Sequence, residues 1–226
     1  KYITTDIISV KKIISILKKN NLNKIILAGG LKRPSISDLG FDLETIKLAK
    51  QLFLEKKGDN NLLVSIKKYL ETKGFIFFNW TKYCSELFST EKNLTKYIPS
   101  KLANLNFIKA KSIYKHFKKL DVGQSMIIQN QLVLGLEAIE GTDRLIERTS
   151  HYKRKGDKGV LVKFSKKNQS LIMDIPLIGL DTVKNIKKFN YEGIFLEKNK
   201  CLIIDKEDVV NYANKNNIFI SCLDLN

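Results

Sequence analysis

The sequence predicts an α/β protein in two lobes: an N-terminal Rossmann-like lobe carrying part of a parallel sheet, and a C-terminal mixed α/β lobe. Three observations predict it. Short all-apolar runs such as "NKIILAGG" and "GVLVKF" read as strands buried on both faces, the kind a parallel sheet uses. They alternate with amphipathic stretches at helical spacing, "DIISVKKIISILKKNNL" first among them. The pattern then turns β-rich after "NLNFIKAKSIYKHFKKLDVG", which places lobes at residues 1–98 and 117–226 with a helical linker at 99–116.

The elements follow in order. The helix of "DIISVKKIISILKKNNL" leads into the strand of "NKIILAGG", which ends at Gly29 and Gly30. The polar run "LKRPSISDLGFD" is a loop. "LETIKLAKQLFLEKKGD" and "NNLLVSIKKYLETKG" are two helices, and "FIFFNW" is a strand. "TKYCSELFSTEKNLTKYIPSK" has no clean period and is expected to be loop or short helix. In the second lobe, "QSMIIQ" and "QLVLGLEAIE" form a hairpin about Asn130. A helix starts in "GTDRLIERTSHYKRKG" with Thr142 as N-cap and Asp143 in the first turn. "GVLVKF" is a strand, and "LIMDIPLIG" is a strand ended by Pro176. "LDTVKNIKKFNY" is a helix capped by Asp181 or Thr182. "GIFLEKNKCLIID" reads as a hairpin, "KEDVVNYANKNN" as a helix and "IFISCLDL" as the last strand.

Composition narrows the function. With 40 Lys+Arg against 23 Asp+Glu the formal charge is +17, which points to nucleic acid or an anionic surface. Yet arginine occurs only at positions 33, 144, 148 and 154, and specific base readout leans on arginine. No nucleic-acid reading motif is present, so a nucleic-acid partner is not expected. Cys84, Cys201 and Cys222 are odd in number and widely spaced, which argues against a disulfide framework or a zinc site. No signal peptide or membrane-length apolar run stands out, and a cytoplasmic protein is expected.

Chemistry gathers in a few places. "LVLGLEAIEGTDRLIER" sets Glu137, Glu140 and Asp143 at a strand-to-helix junction. Carboxylates held together favour a bound cation or a raised pKa. Alternatively Asp143 complements a helix dipole and Glu140 is solvated. Asp174 interrupts the apolar run of "LIMDIPLIG" near a strand end, as a partnered carboxylate or a turn former before Pro176. Lys163 interrupts "GVLVKF" in the same way, as a phosphate contact or as an edge lysine reaching water. "AGGLKRP" offers backbone amides at Gly29 and Gly30 and the Arg33 guanidinium to a phosphate or ribose. His116 and His151 lack partners for nucleophilic work, and Ser–His–Asp chemistry is not expected.

Taken together, "ILAGGLKRPS", "KGDNNLL", "LDVGQSMIIQNQLVLGLEAIEGTDRLI", "GVLVKFSK" and "MDIPLIGLDTV" resemble the UDP-2,3-diacylglucosamine pyrophosphatases of the LpxI type over nearly the whole chain. The resemblance implies a metal-dependent hydrolase of lipid A synthesis, from a Gram-negative bacterium, that splits UDP-2,3-diacylglucosamine into UMP and 2,3-diacylglucosamine 1-phosphate (lipid X). It implies a divalent cation, typically Mg2+, and two lobes that hold the lipid between them. It makes Asp174 essential and carries over Gln124, Glu137, Glu140, Gly141, Thr142, Asp143 and Lys163 as motif positions.

On that basis the catalytic set is Asp174, Glu140 and Lys163, and the metal set is Asp174, Glu137 and Asp143. Gly29, Gly30, Arg33, Gln124, Gly141 and Thr142 are assigned to substrate. Two departures are visible. Leu177 stands where the family commonly has threonine, and the family's first glycine-rich strand is absent, so the N-terminal sheet is expected to lack it. The lysine-rich surface is expected to touch an anionic membrane peripherally. A homodimer is left open, as is a non-catalytic module that binds a UDP-lipid or nucleotide.

Overall fold

The apolar run "GVLVKF", expected to be a strand buried on both faces, is buried at every strand position. The structure is a computed structural model that describes residues 3, 10–27, 59–117, 120, 122–166 and 175–225. The chain divides into two compact units, with the break between Lys82 and Tyr83.

In the first unit, helices α1 (Val10–Lys19) and α2 (Asp59–Thr72) accompany two short strands, β1 (Lys24–Ile25) and β2 (Ile76–Phe77). The strands pair in parallel, Lys24 opposite Ile76 and Ile25 opposite Phe77. Ile14 of α1, Tyr69 and Leu70 of α2, and Phe75 ahead of β2 form the buried core. Phe75 is thus a core residue. The helix expected over "LETIKLAKQLFLEKKGD" lies outside the described residues.

The second unit is a three-layer sandwich. Its elements are α3 (Lys101–Phe117), β3 (Ser125–Gln129), β4 (Leu132–Leu136), α4 (Thr142–Ser150), β5 (Val160–Lys163), β6 (Leu177–Ile178), α5 (Leu180–Lys188), β7 (Gly193–Glu197), β8 (Leu202–Ile203), α6 (Lys206–Lys215) and β9 (Phe219–Leu223). The main sheet has the order β4-β3-β5-β7-β9. β3 is antiparallel to both β4 and β5, whereas β5, β7 and β9 run parallel. Side chains alternate between two cores. Ile127, Leu161, Ile194 and Ile220 meet α4, α5 and α6 on one face. Met126, Val160, Val162, Phe195 and Phe219 meet α3 on the other. Because both faces are covered, the parallel strands need apolar residues at every position, which is why they read as continuous runs.

Four readings of the sequence are corrected here. The helix expected to link the lobes is α3, and it belongs to the second unit. It buries Ala103, Phe107, Ala110, Tyr114 and Phe117, a period of three and four, against the sheet. "GIFLEKNKCLIID" is no hairpin: β7 joins the main sheet, while β8 pairs in parallel with β6 in a separate two-stranded sheet. The strand expected before Pro176 in "LIMDIPLIG" lies largely outside the described residues, and β6 begins directly after Pro176. Two caps also move by one residue or more. Gly141, at φ 81°, is the N-cap of α4 in place of Thr142, and Gly179 is that of α5 in place of Asp181 or Thr182. The hairpin of β3 and β4 turns through Asn130 and Gln131, both at positive φ (52° and 60°), the geometry that matches strand twist. The free edge of β9 is covered by the chain at residues 92–95, with Leu94 N–H bonding Ile220 O and Cys222 N–H bonding Lys92 O.

Candidate functional site

The register of the sheet brings Ser125 directly opposite Lys163. Both lie on the face that carries α4, since they keep the alternation of Ile127 and Leu161. Lys163 is the last residue of β5, and its side chain is only 6% exposed. A lysine buried this far needs partners. Its ammonium donates to Thr142 Oγ1 at 2.6 Å and to Ser125 Oγ at 3.3 Å, and stands 3.9 Å from Glu137 Oε2. Since Thr142 Oγ1 accepts from Lys163, its own proton is free for Glu137 Oε2 at 3.2 Å. The Gln124 N–H also donates to that oxygen, at 3.4 Å. Ser125, Glu137, Thr142 and Lys163 therefore form one polarised network at the carboxyl end of β5.

Thr142 reaches this network because Gly141 takes the cap. A glycine supplies no side-chain acceptor, and α4 carries no side-chain cap. The amides of its first turn are left without intrahelical partners and carry the positive end of the helix dipole. Lys163 adds a full positive charge at the same place. A helix start of this kind beside a cation attracts phosphate. Asp143 is exposed in that first turn, where its charge also favours the dipole.

Glu140, expected in the catalytic set, is held by Arg148 and the backbone. Arg148, eight residues on, donates to its Oε1 from Nη2 at 2.6 Å and from Nε at 2.9 Å. Its Oε2 accepts the Ala138 N–H at 3.2 Å. Partial burial pushes its pKa up, but the bonds from Arg148 and the backbone outweigh this and hold it below the ordinary value. These bonds brace the loop between β4 and α4. Arg148 also bonds Leu136 O at 2.7 Å, fastening helix and strand end together.

The sequence reading missed a second polar cluster at the same end of the sheet. Glu197 closes β7 and is 2% exposed. Its Oε2 accepts the Ser165 N–H and Oγ at 2.7 Å each, and Oε1 pairs with Lys200 at 2.7 Å. Tyr114 of α3 donates its hydroxyl to Ser165 O at 3.1 Å and lies 3.3 Å from Glu197 Oε1. Burial first, then the Glu197 charge, pushes the Tyr114 phenol up to about 12. The Cys201 thiol, donating to Lys163 O at 3.6 Å, is likewise pushed by burial to about 12, and is no nucleophile at neutral pH. The available signal was an acidic residue ending an apolar run, "GIFLE", the same pattern that exposed Lys163.

Asp174, Gly29, Gly30 and Arg33 lie outside the described residues. Among the described residues no group of three or more His, Cys, Asp or Glu is placed to hold a metal ion. The donor chemistry agrees, since Glu137 is already compensated by Lys163 and Thr142, and Glu140 by Arg148. The described carboxylates do not by themselves fit a magnesium ion, and no step is assigned to a metal through them.

A model of the LpxI N-terminal domain matches residues 1–87, and one of the LpxI C-terminal domain matches residues 90–221. The chain belongs to the LpxI family. The boundary between the two matched regions falls close to the break at Lys82 and Tyr83. The UDP-2,3-diacylglucosamine pyrophosphatase LpxI of Caulobacter vibrioides is 28% identical over 220 residues, covering 94% of this chain and 79% of that protein. The network of Ser125, Glu137, Thr142 and Lys163 lies wholly within the C-terminal match. Among the described residues no helix is long and apolar enough to cross a membrane.

Proposed function

We propose that the chain hydrolyses the pyrophosphate of UDP-2,3-diacylglucosamine, releasing UMP and 2,3-diacylglucosamine 1-phosphate (lipid X), as a step of lipid A synthesis. Family membership supports the substrate class. The observation that carries the chemistry is the buried Lys163 bonded to Thr142 at the uncapped start of α4.

Each group has a task in this reading. The ammonium of Lys163 has three protons, and Thr142 and Ser125 take two. The third is directed at a pyrophosphate oxygen, together with the first-turn amides after Gly141. Charge that grows on the phosphoryl oxygens and on the leaving phosphate meets donors fixed in advance, which is the largest source of rate in such transfers. Glu137 holds Thr142 and hence the ammonium. Gln124, whose backbone fixes both Glu137 and Phe164, orients the same loop. Asp174 is the proposed acid that would orient the attacking water or hold Mg2+. The magnesium requirement thus rests on Asp174.

Incubation of the chain with UDP-2,3-diacylglucosamine tests this, with phosphorus NMR to identify products. Runs with and without magnesium, and with Asp174→Ala, complete the set. UMP that appears only with the metal and vanishes in the variant is the expected result. Absence of UMP beside retained binding of the UDP-lipid overturns it in favour of a non-catalytic UDP-lipid or nucleotide-binding module.

A further inference from the structure

The outer face of α3 carries large aliphatic side chains. Its inner face is packed on the sheet, so its outer face should be polar. Instead Leu102, Leu105 and Ile108 stand there 52%, 41% and 63% exposed, preceded by Ile98 at 68%. Among the residues whose burial is described, those of the other helices expose no large aliphatic side chain. Positions 102, 105 and 108 lie on one side of the cylinder, opposite Ala103, Phe107 and Ala110. Exposed lysines flank them at 101, 109 and 115.

Charge decides what covers this face. Residues 92–120 contain eight lysines and no aspartate or glutamate. A second copy related by a two-fold axis would set two such lysine-rich segments against each other, since such an interface uses the same patch twice. A lipid surface with anionic headgroups meets both properties at once: aliphatic side chains enter the acyl boundary while lysines reach phosphates. We propose that α3 docks on an anionic membrane through Leu102, Leu105 and Ile108, with Lys101 and Lys109 contacting the headgroups. The helix lies in the plane of the interface, anchored from behind by its packing on the sheet. This surface is separate from the network at Lys163, and the proposal does not depend on the reaction.

Vesicle flotation of the full chain tests it without substrate, using phosphatidylcholine vesicles and vesicles in which about a third is phosphatidylglycerol. Wild type should float with the anionic vesicles only, and salt should weaken it. Leu105→Gln/Ile108→Gln and Lys101→Gln/Lys109→Gln should each bind at least tenfold more weakly. Circular dichroism should show both variants folded, because all four positions are exposed. Retained binding in both folded variants overturns the proposal, as does equal binding to neutral vesicles. So does a wild-type dimer that Leu105→Gln/Ile108→Gln splits while vesicle binding persists, which would give the face to a second copy.

Discussion

Thr142 stands between Lys163 and Glu137, accepting from the ammonium at 2.6 Å and donating to the carboxylate at 3.2 Å. The hydroxyl is what lets a buried cation and a half-buried anion coexist 3.9 Å apart without collapsing onto each other. Thr142→Val keeps the volume and removes the relay. A hydrogen bond to a charged group is worth about 1.5–3 kcal/mol, so kcat/KM for UMP release should fall roughly ten- to hundredfold. Thr142→Ser should retain most activity. Equal rates for the valine and serine variants would separate Thr142 from the reaction.

Lys163→Met tests the charge itself. Methionine fills much of the same space, so packing at the end of β5 survives. Removal of one preorganised donor of this type costs on the order of 10²–10³ in kcat. The substrate's KM should change much less, because the charge is needed most where the phosphoryl group is leaving. Steady-state rates measured beside thermal melts distinguish this from unfolding.

Much of this site was legible in the sequence, for a physical reason that also marks its limit. Lys163 drew notice as a lone cation in an apolar run, a phosphate contact or an edge lysine reaching water, and the structure buries it with Thr142 and Ser125 as partners. Thr142 and Glu137 were placed near a strand-to-helix junction, where the sheet register does bring them to Lys163. What sequence spacing does not carry is competition among partners. Glu140 was grouped with Glu137 because they are three residues apart, yet Arg148 claims it from the next helix face. Glu197 was lost in the same way. "GIFLE" and "CLIID" look like the arms of a hairpin, and only tertiary pairing sends them to different sheets. The linker assignment failed because α3 exposes aliphatic residues on its outer face as well, which blurs its amphipathic period.

Gly123 couples the fold to the network. A Cβ placed there would overlap the backbone carbonyl and the Cβ of Glu137. Gly123→Ala must therefore push apart the start of β3 and the end of β4, displacing the Glu137 carboxylate. Overpacking of this kind costs about 1–3 kcal/mol. Chemical denaturation should show that loss, and activity should fall by more than the unfolded fraction explains. Full activity in the folded population would mean the loop after β4 gives way elsewhere.

The Arg148–Glu140 pair predicts an acid dependence. Glu140 has a folded pKa below its ordinary value of 4.5. A depressed carboxylate stabilises the fold above the unfolded pKa, and that contribution is lost as pH falls through the folded one. Stability of the wild type should thus decline below about pH 4.5. In Arg148→Ala the decline should be shallower in that window, while stability at neutral pH is lowered. Because the pair is partly exposed, the effect is modest and salt weakens it. Urea midpoints recorded from pH 3 to pH 7 give the comparison, and identical slopes would show that Arg148 does not set the Glu140 titration.

At the alkaline end the buried groups around Lys163 and Glu197 act in the opposite sense. The Cys201 thiol moves from 9.0 to about 12, and the Tyr114 phenol from 10.0 to about 12, both chiefly through burial. A raised acid binds its proton more tightly when folded, so the unfolded chain ionises first. The stabilisation is complete below about pH 9 and is lost as pH rises toward 12. Tyr114→Phe keeps the ring against Phe164, 5.0 Å away, and removes the phenol. It should flatten the fall in stability above pH 10, leaving the part that begins near 9 to Cys201. A fall of unchanged steepness in Tyr114→Phe would show that the phenol is already ionised, or already open to water, in the folded chain.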